Sequence, residues 1–213
     1  MLPSIEELIA KGYGRTMTVG GFSTGIVGGG AGTVLDLDQP EFVVGVPAGF
    51  AIRPFRVEIV VNGGLGTTDL DETEALLAVD TEAVCQLLSA ETCTIENPKN
   101  MRTDILQGSI CRTASAFSAD METINRVGTS ADPVLGMELA RIVEHFDAAG
   151  TAATVAYRQT KLLYDPDYPP FLVGPSTLIG YWGGTRATID GFAIVCWVEG
   201  PAELLLGSGR AAV

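Results

Sequence analysis

The chain has 213 residues, which fits one domain because single β-sandwiches reach roughly 200 to 250 residues. Only 18% of the residues are charged, below the roughly 25% of an average domain, so we expect part of the surface to be buried against other molecules. The net charge is −13, and Asp69 to Glu96 contains eight acidic residues without any lysine or arginine; this excludes nucleic acid as an expected partner, because such a surface repels phosphate.

The N-terminus predicts a short helix. Ser4 and Glu7 stand at capping-box spacing, and Ile5, Leu8 and Ile9 form one apolar stripe. A helix of about seven residues is unstable alone. We therefore expect the stripe to dock on a host surface, either on its own domain or on a neighbour.

A glycine-rich stretch at residues 20–32 follows the helix and is typical of a flexible arm. We predict an N-terminal arm at residues 1–35 and one domain at residues 36–213. The N-terminus lacks the basic and apolar regions of a signal peptide. No stretch approaches the roughly 20 apolar residues of a membrane span, so we expect a soluble protein without membrane contact.

From residue 36 onward, short β-type runs are divided by Pro and Gly, which predicts an antiparallel β-sandwich. In one run Phe55, Val57, Ile59 and Val61 are predicted to share one face, with Arg56 and Glu58 on the other. The four runs are residues 41–47, 51–62, 73–80 and 104–115.

The segment at residues 136–146 fits either a helical stripe or a strand. We favour a strand, because the Thr- and Tyr-bearing run at residues 151–165 follows it as a hairpin partner would.

The last predicted strand has two apolar faces and should be covered on both sides. Phe192, Ile194, Cys196 and Val198 point one way, whereas Ala193, Val195 and Trp197 point the other way. We assign the first set to the core because it is uninterrupted, whereas the other face ends in the charged Glu199. The predicted subunit interface consists of Trp197, Val195, Tyr181 and Trp182.

Sequence motifs predict no catalytic residue, no cofactor site and no metal site. His145 is the only histidine, and the four cysteines lack metal-ligand spacing. The glycines at residues 28–32 complete no phosphate-binding motif. The acidic residues 69–74 are interpreted as a solvated loop rather than a calcium site. The aromatic residues near the C-terminus could form a sugar platform, but packing is the simpler interpretation.

The runs EFVVGVPAGFAIRPFRVEIVV and TEALLAVD, with the ending PPFLVGPSTLIGYWGGTRATIDGFAIVCWVE, resemble jelly-roll structural proteins of bacteriophage and marine viral genomes. The closing strands of those proteins are similar to trimers of the tumour-necrosis-factor type. The resemblance covers roughly residues 36–200. It implies an all-β, antiparallel jelly roll that assembles as a homotrimer with other capsid proteins, in the host cytoplasm, into a virion.

In such a particle the chain would serve as a capsid, cement or decoration protein, without catalytic residues or cofactors. Two other classes remain open from sequence. One is a receptor- or glycan-binding jelly-roll module, and the other is an enzyme on a β-sandwich scaffold.

Overall fold

The structure is a computed structural model that describes residues 2–21, 25–28, 35–64, 71–82, 84–86, 93–118, 121–124, 133–146, 157–184 and 189–207. These ranges contain two short helices and fifteen strands. The helices are α1 (Ile5–Ala10) and α2 (Ala202–Leu206). The strands are β1 (Gly14–Val19), β2 (Ile26–Val27), β3 (Phe42–Val46), β4 (Phe50–Gly64), β5 (Asp71–Asp80), β6 (Val84–Gln86), β7 (Thr94–Ile95), β8 (Lys99–Asn100), β9 (Arg112–Ser115), β10 (Glu122–Ile124), β11 (Leu135–Phe146), β12 (Tyr157–Tyr164), β13 (Leu172–Val173), β14 (Ser176–Gly184) and β15 (Asp190–Pro201).

The eight principal strands form a jelly roll. Sheet A has the order β12-β4-β15-β1-β8, and sheet B has the order β11-β5-β14-β3-β9-β7. Counted in chain order from β1, the principal strands run 1-8-3-6 in sheet A and 2-7-4-5 in sheet B, with every pair antiparallel. Two four-stranded sheets with this order define a jelly roll. The predicted fold class is confirmed.

The main core lies between the two sheets. Val57, Ile59 and Val61 of β4 are fully buried in it, and Arg56 and Glu58 lie on the other face of sheet A, as predicted. Phe55 was predicted to share the core face, but it packs in a separate cluster with Leu8 and Leu205. The register of β4 against β15 skips Phe55, so this residue is the extra residue of a β-bulge. A bulge reverses the alternation of side chains on its far side.

The predicted N-terminal helix is present as α1, with both hydrogen bonds of its capping box. Ser4 Oγ accepts from Glu7 N at 3.2 Å, and Glu7 Oε2 accepts from Ser4 N at 3.1 Å. Leu8 is 1% exposed in a cluster with residues of β4 and β15, and Ile5 and Ile9 pack against the same cluster. The apolar stripe therefore docks on the chain's own domain.

Strand β1 lies inside the segment that was predicted to be an arm. All six of its residues pair with β15, from Gly14 opposite Val198 to Val19 opposite Ala193. The predicted boundary at residue 35 therefore does not separate an arm from the sheet at this strand. In the glycine-rich stretch, residues 22–24 and 29–34 lie outside the described residues, and β2 pairs with β15.

The predicted strand at residues 136–146 is confirmed as β11, but its predicted hairpin with the following strand is wrong. β11 pairs with β5 in sheet B, and β12 pairs with β4 in sheet A. The two strands face each other across the sandwich, where Thr160 Oγ1 donates to Glu144 Oε2 at 2.5 Å. Of the run at residues 104–115, only Arg112–Ser115 forms a strand.

Neither described helix is long and apolar enough to cross a membrane.

Candidate functional site

The two faces of β15 are assigned in reverse of the sequence prediction. Ala193, Val195 and Trp197 are 0% exposed and lie in the main core between the sheets. Phe192 and Ile194 lie on the outer face of sheet A and are partly exposed. The part of this face around Phe192 and Ile194 is therefore available to a neighbour, whereas Val198 at its other end is buried in a cluster with residues of both helices.

Glu199 explains why the sequence prediction chose the wrong face. It was taken as a mark of solvent, but it is 1% exposed. Its Oε1 lies 2.8 Å from Arg15 Nε, an ionic contact rather than a well-aligned hydrogen bond. Its carboxylate also accepts hydrogen bonds from Trp197 Nε1 at 3.1 Å, Ser109 Oγ at 2.6 Å and Ile110 N at 3.0 Å. The charge ending this face is thus compensated inside the protein.

Arg15 completes this buried network from β1. Its guanidinium donates to the carbonyl oxygens of Gly12 at 2.8 Å, Gly14 at 3.0 Å and Gly108 at 3.2 Å. With Glu199 it ties β1 and β15 to the loop at residues 101–111. Sequence reasoning missed this pair. The sequence signal that could have revealed it is a single charged residue on the otherwise apolar face of each strand, Arg15 in β1 and Glu199 in β15.

Cys111 lies beside this network. Burial raises the pKa of its thiol well above the ordinary value, and the neighbouring Glu199 carboxylate adds to the rise. Since the thiolate is the reactive form, this thiol is unsuited to nucleophilic chemistry. Cys93, Cys111 and Cys196 are free and buried.

The remaining predicted interface residues are also buried within one chain. Trp182 is 1% exposed in the main core, and its Nε1 donates to Ile26 O at 3.0 Å. Tyr181 is 0% exposed on the outer side of sheet B, and its hydroxyl donates to Leu37 O at 2.9 Å. The predicted interface of Trp197, Val195, Tyr181 and Trp182 is therefore wrong, because residues of the same chain bury all four side chains. For the same reason these three aromatic rings cannot form a sugar platform, whereas Phe192, the fourth aromatic residue considered for it, is partly exposed.

The chain itself covers the outer face of sheet B at β3, β5 and β14. Val43, Leu76, Ile179 and Tyr181 of this face are completely buried in a second cluster. The cluster also contains Cys93, Ala114 and Met121, with Leu35 and Phe117 packed against it. On the edge strand β11 of the same sheet, Val143 is 39% exposed.

The outer face of sheet A carries three apolar side chains that reach solvent, Leu163, Phe192 and Ile194. We call these three, together with the buried Val60, the outer patch. Phe192 of β15 lies opposite Val60 of β4. Glu58 of β4 lies between Ile194 of β15 on one side and Leu163 of β12 on the other. Leu163 is 49% exposed, and Phe192 and Ile194 are partly exposed.

A charged network crosses the outer patch. Lys161 Nζ lies 2.7 Å from Glu58 Oε1, and Arg56 Nη2 lies 3.3 Å from Glu58 Oε2. The hydrogen bond from Lys161 lowers the pKa of Glu58 below its ordinary value, and Arg56 adds to the effect. Apolar side chains around a compensated charge are common in protein–protein interfaces.

The described residues contain no group of three or more His, Cys, Asp or Glu side chains that could hold a metal ion. His145 Nδ1 lies 3.7 Å from Glu72 Oε2, at an exposed edge. Of the acidic run at residues 69–74, Asp71 to Glu74 begin β5, and Glu74 is 6% exposed. That part of the run is a strand and not a solvated loop.

No protein-family model matches this chain, and a search of curated proteins finds no match to it.

Tyr164 provides a pH-dependent prediction. Its buried hydroxyl has no hydrogen-bond partner among the described residues, and burial raises its pKa to about 12. The folded state thus holds this proton more tightly than the unfolded state, whose pKa is about 10. The contribution to stability is complete below pH 10 and is lost as pH rises towards 12. Tyr164→Phe should lose less stability than the wild type between pH 8 and 11 in thermal unfolding. Equal losses would contradict the prediction.

Proposed function

We propose that the chain is a non-enzymatic structural protein of a virus particle, in keeping with its resemblance to bacteriophage proteins, and that it forms, decorates or cements the capsid as a homo-oligomer. The jelly roll supports this proposal because the fold builds many viral capsids. Lectins and cupins have the same fold, so a specific surface of this chain has to distinguish a structural protein from those classes.

The outer patch is the observation that carries the proposal. The chain buries the outer face of β3, β5 and β14 in sheet B beneath its own segments, and exposes Val143 on the edge strand β11. On sheet A it leaves Phe192, Ile194 and Leu163, on two strands that flank β4, partly in water. Apolar surface of this kind commonly marks a contact with another molecule. We assign the outer patch to a neighbouring subunit. The low charged fraction of the chain, 18%, is in keeping with such a buried face.

Four aromatic residues favoured the glycan-binding alternative. Trp182, Trp197 and Tyr181 are buried and cannot stack on a sugar, and Phe192 is partly exposed. The proposed function therefore depends on packing between subunits and involves no catalysed reaction.

Light scattering tests the homo-oligomer. We expect a mass of three times the 22.3 kDa chain at micromolar concentration. Ile194→Asp should raise the dissociation constant by about 30-fold or more, because it places a carboxylate in an apolar contact.

Val143→Asp is the matched control for this substitution. Val143 is also a β-branched strand residue, 39% exposed, but it lies on β11 in the other sheet. We expect it to assemble as the wild type does. A wild-type protein that stays monomeric at tens of micromolar would refute the homo-oligomer.

A further inference from the structure

Residues 95–113 form a strap that closes one side of the sandwich around a cavity of about 690 Å³. The strap leaves sheet B at β7, pairs with β1 in sheet A at β8, and returns to sheet B at β9. β8 is the outermost strand of sheet A, and β7 and β9 end the order of sheet B. The cavity therefore lies at one lateral edge of the jelly roll. Its volume is in the range of ligand and peptide pockets.

The lining of the cavity contains three basic residues and one acidic residue, Glu96, although the chain as a whole is acidic. Lys99 and Arg112 line it, are exposed, and make no ion pair or side-chain hydrogen bond within the described part of the chain. Arg102 also lines it but is neutralised by Asp104, whose Oδ1 accepts from Arg102 Nε at 3.0 Å. Two cations without an ion pair thus line one cavity in a chain with 13 basic and 26 acidic residues.

Apolar side chains stand beside these cations. Leu106 is 97% exposed and Ile95 is 43% exposed, and both line the same cavity. We call Ile95, Lys99, Leu106 and Arg112 the socket. Its chemistry fits an acidic segment that also carries an apolar or aromatic residue.

The chain itself carries such a segment. Asp165, Asp167 and Tyr168, which we call the plug, lie on the loop between β12 and β13. Tyr168 is 90% exposed, and both aspartates are exposed without an ion pair in the described ranges. An exposed aromatic ring next to two carboxylates without ion pairs complements a cavity with unpaired cations and exposed aliphatic groups.

The plug and the socket lie at opposite edges of sheet A. β12 and β13 both pair with β4, so their loop lies on the β12 edge, whereas the socket lies beyond β8. With five strands in the order, four spacings of about 4.8 Å separate the edges by roughly 19 Å. The plug cannot fill the socket of its own chain.

We propose that the plug of one copy binds the socket of the next copy. The proposal rests on the homo-oligomer of the proposed function and adds the contact that joins its subunits. Because the two surfaces differ, the contact is head-to-tail, and repeated contacts of this kind form a ring such as a trimer where the rotation between copies closes. Two carboxylates on two cations also offset the repulsion between copies that each carry a charge of −13.

Zero-length cross-linking tests this contact without any substitution. A carbodiimide joins a carboxylate to a lysine amine only where the two groups touch. In a mixture of ¹⁴N- and ¹⁵N-labelled wild-type protein, we expect mixed-isotope cross-links between the peptide with Lys99 and the peptide with Asp165 and Asp167. An oligomer whose cross-links never join these two peptides would overturn the proposal.

Charge reversal provides a second test by light scattering. Asp165→Lys with Asp167→Lys should weaken association about 100-fold or more, because like charges then face each other. Lys99→Glu with Arg112→Glu should do the same, and combining all four substitutions should restore the oligomer. Glu82→Lys with Glu203→Lys is the control for the plug variant, since it changes the net charge by the same amount at two other exposed sites.

The outcomes separate this contact from the proposed function. A monomeric wild type would refute the homo-oligomer itself. An oligomeric wild type with oligomeric plug and socket variants would refute this contact alone. If circular dichroism shows that a charge-reversal variant does not fold, Tyr168→Ala and Leu106→Ala are used instead. These side chains are 90% and 97% exposed, so their removal spares the fold and should still weaken association about tenfold.

Discussion

Glu199→Ala is expected to lower the free energy of unfolding by about 3 to 5 kcal/mol, because it leaves the guanidinium of Arg15 buried without its counter-charge. The side chains of both residues are only 2% exposed, so water cannot replace the lost partner. The substitution also removes the acceptor for Trp197 Nε1 and Ser109 Oγ. Urea denaturation monitored by circular dichroism measures the loss.

Glu138→Ala is the matched control for this result. Glu138 also pairs with an arginine, Arg141, but at the exposed edge strand β11, where the two side chains are 48% and 41% exposed. A surface ion pair contributes no more than about 1 kcal/mol. If Glu199→Ala cost as little as Glu138→Ala, the buried network would not hold β1, β15 and the loop at residues 101–111 together.

Trp197→Ala is expected to cost about 3 to 5 kcal/mol of fold stability, because it opens a cavity between the two sheets. Trp197 is 0% exposed in the main core of a single chain. Its loss should therefore lower the midpoint of unfolding without changing the dissociation constant of the oligomer once the protein is folded. Denaturation at two protein concentrations and light scattering separate the two quantities.

Ile194→Asp should show the opposite behaviour, since Ile194 lies on the outer patch of the same strand. We expect a weaker oligomer with a smaller loss of fold stability. A Trp197→Ala protein that melts as the wild type does but fails to assemble would reverse the assignment of the two faces.

The sequence pattern predicted the architecture well where one face of a strand is polar. In β4 the alternation of Val57, Ile59 and Val61 with Arg56 and Glu58 identified the core side directly. The bulge at Phe55 was missed because alternation alone does not show an extra residue. The available signal was Pro54, since proline inside a sheet is found mainly at bulges. β11 and β12 were taken for a hairpin because they are neighbours in sequence, but the sheet of each strand is set by long-range pairing with β5 and β4.

The candidate site was harder to predict because β15 is apolar on both faces. Alternation separates Phe192 and Ile194 from Val195 and Trp197, but only the opposing sheet shows which pair is inside. The nearest local clue, Glu199, was misleading because its partner Arg15 comes from the other end of the chain. The plug and the socket likewise consist of ordinary surface residues, and only the strand order places them at opposite edges.

We propose that the chain is a structural part of a virus particle, and particle composition tests this most directly. Virus-sized particles are purified by sedimentation from cultures that produce the chain. The particles are then analysed by quantitative mass spectrometry and by immunogold labelling with an antibody against the folded protein. We expect the chain to occur in intact particles at a fixed ratio to the other capsid proteins, and we expect gold label on the particle surface or shell. Intact particles without the chain, with all of it in the unsedimented fraction, would contradict the account.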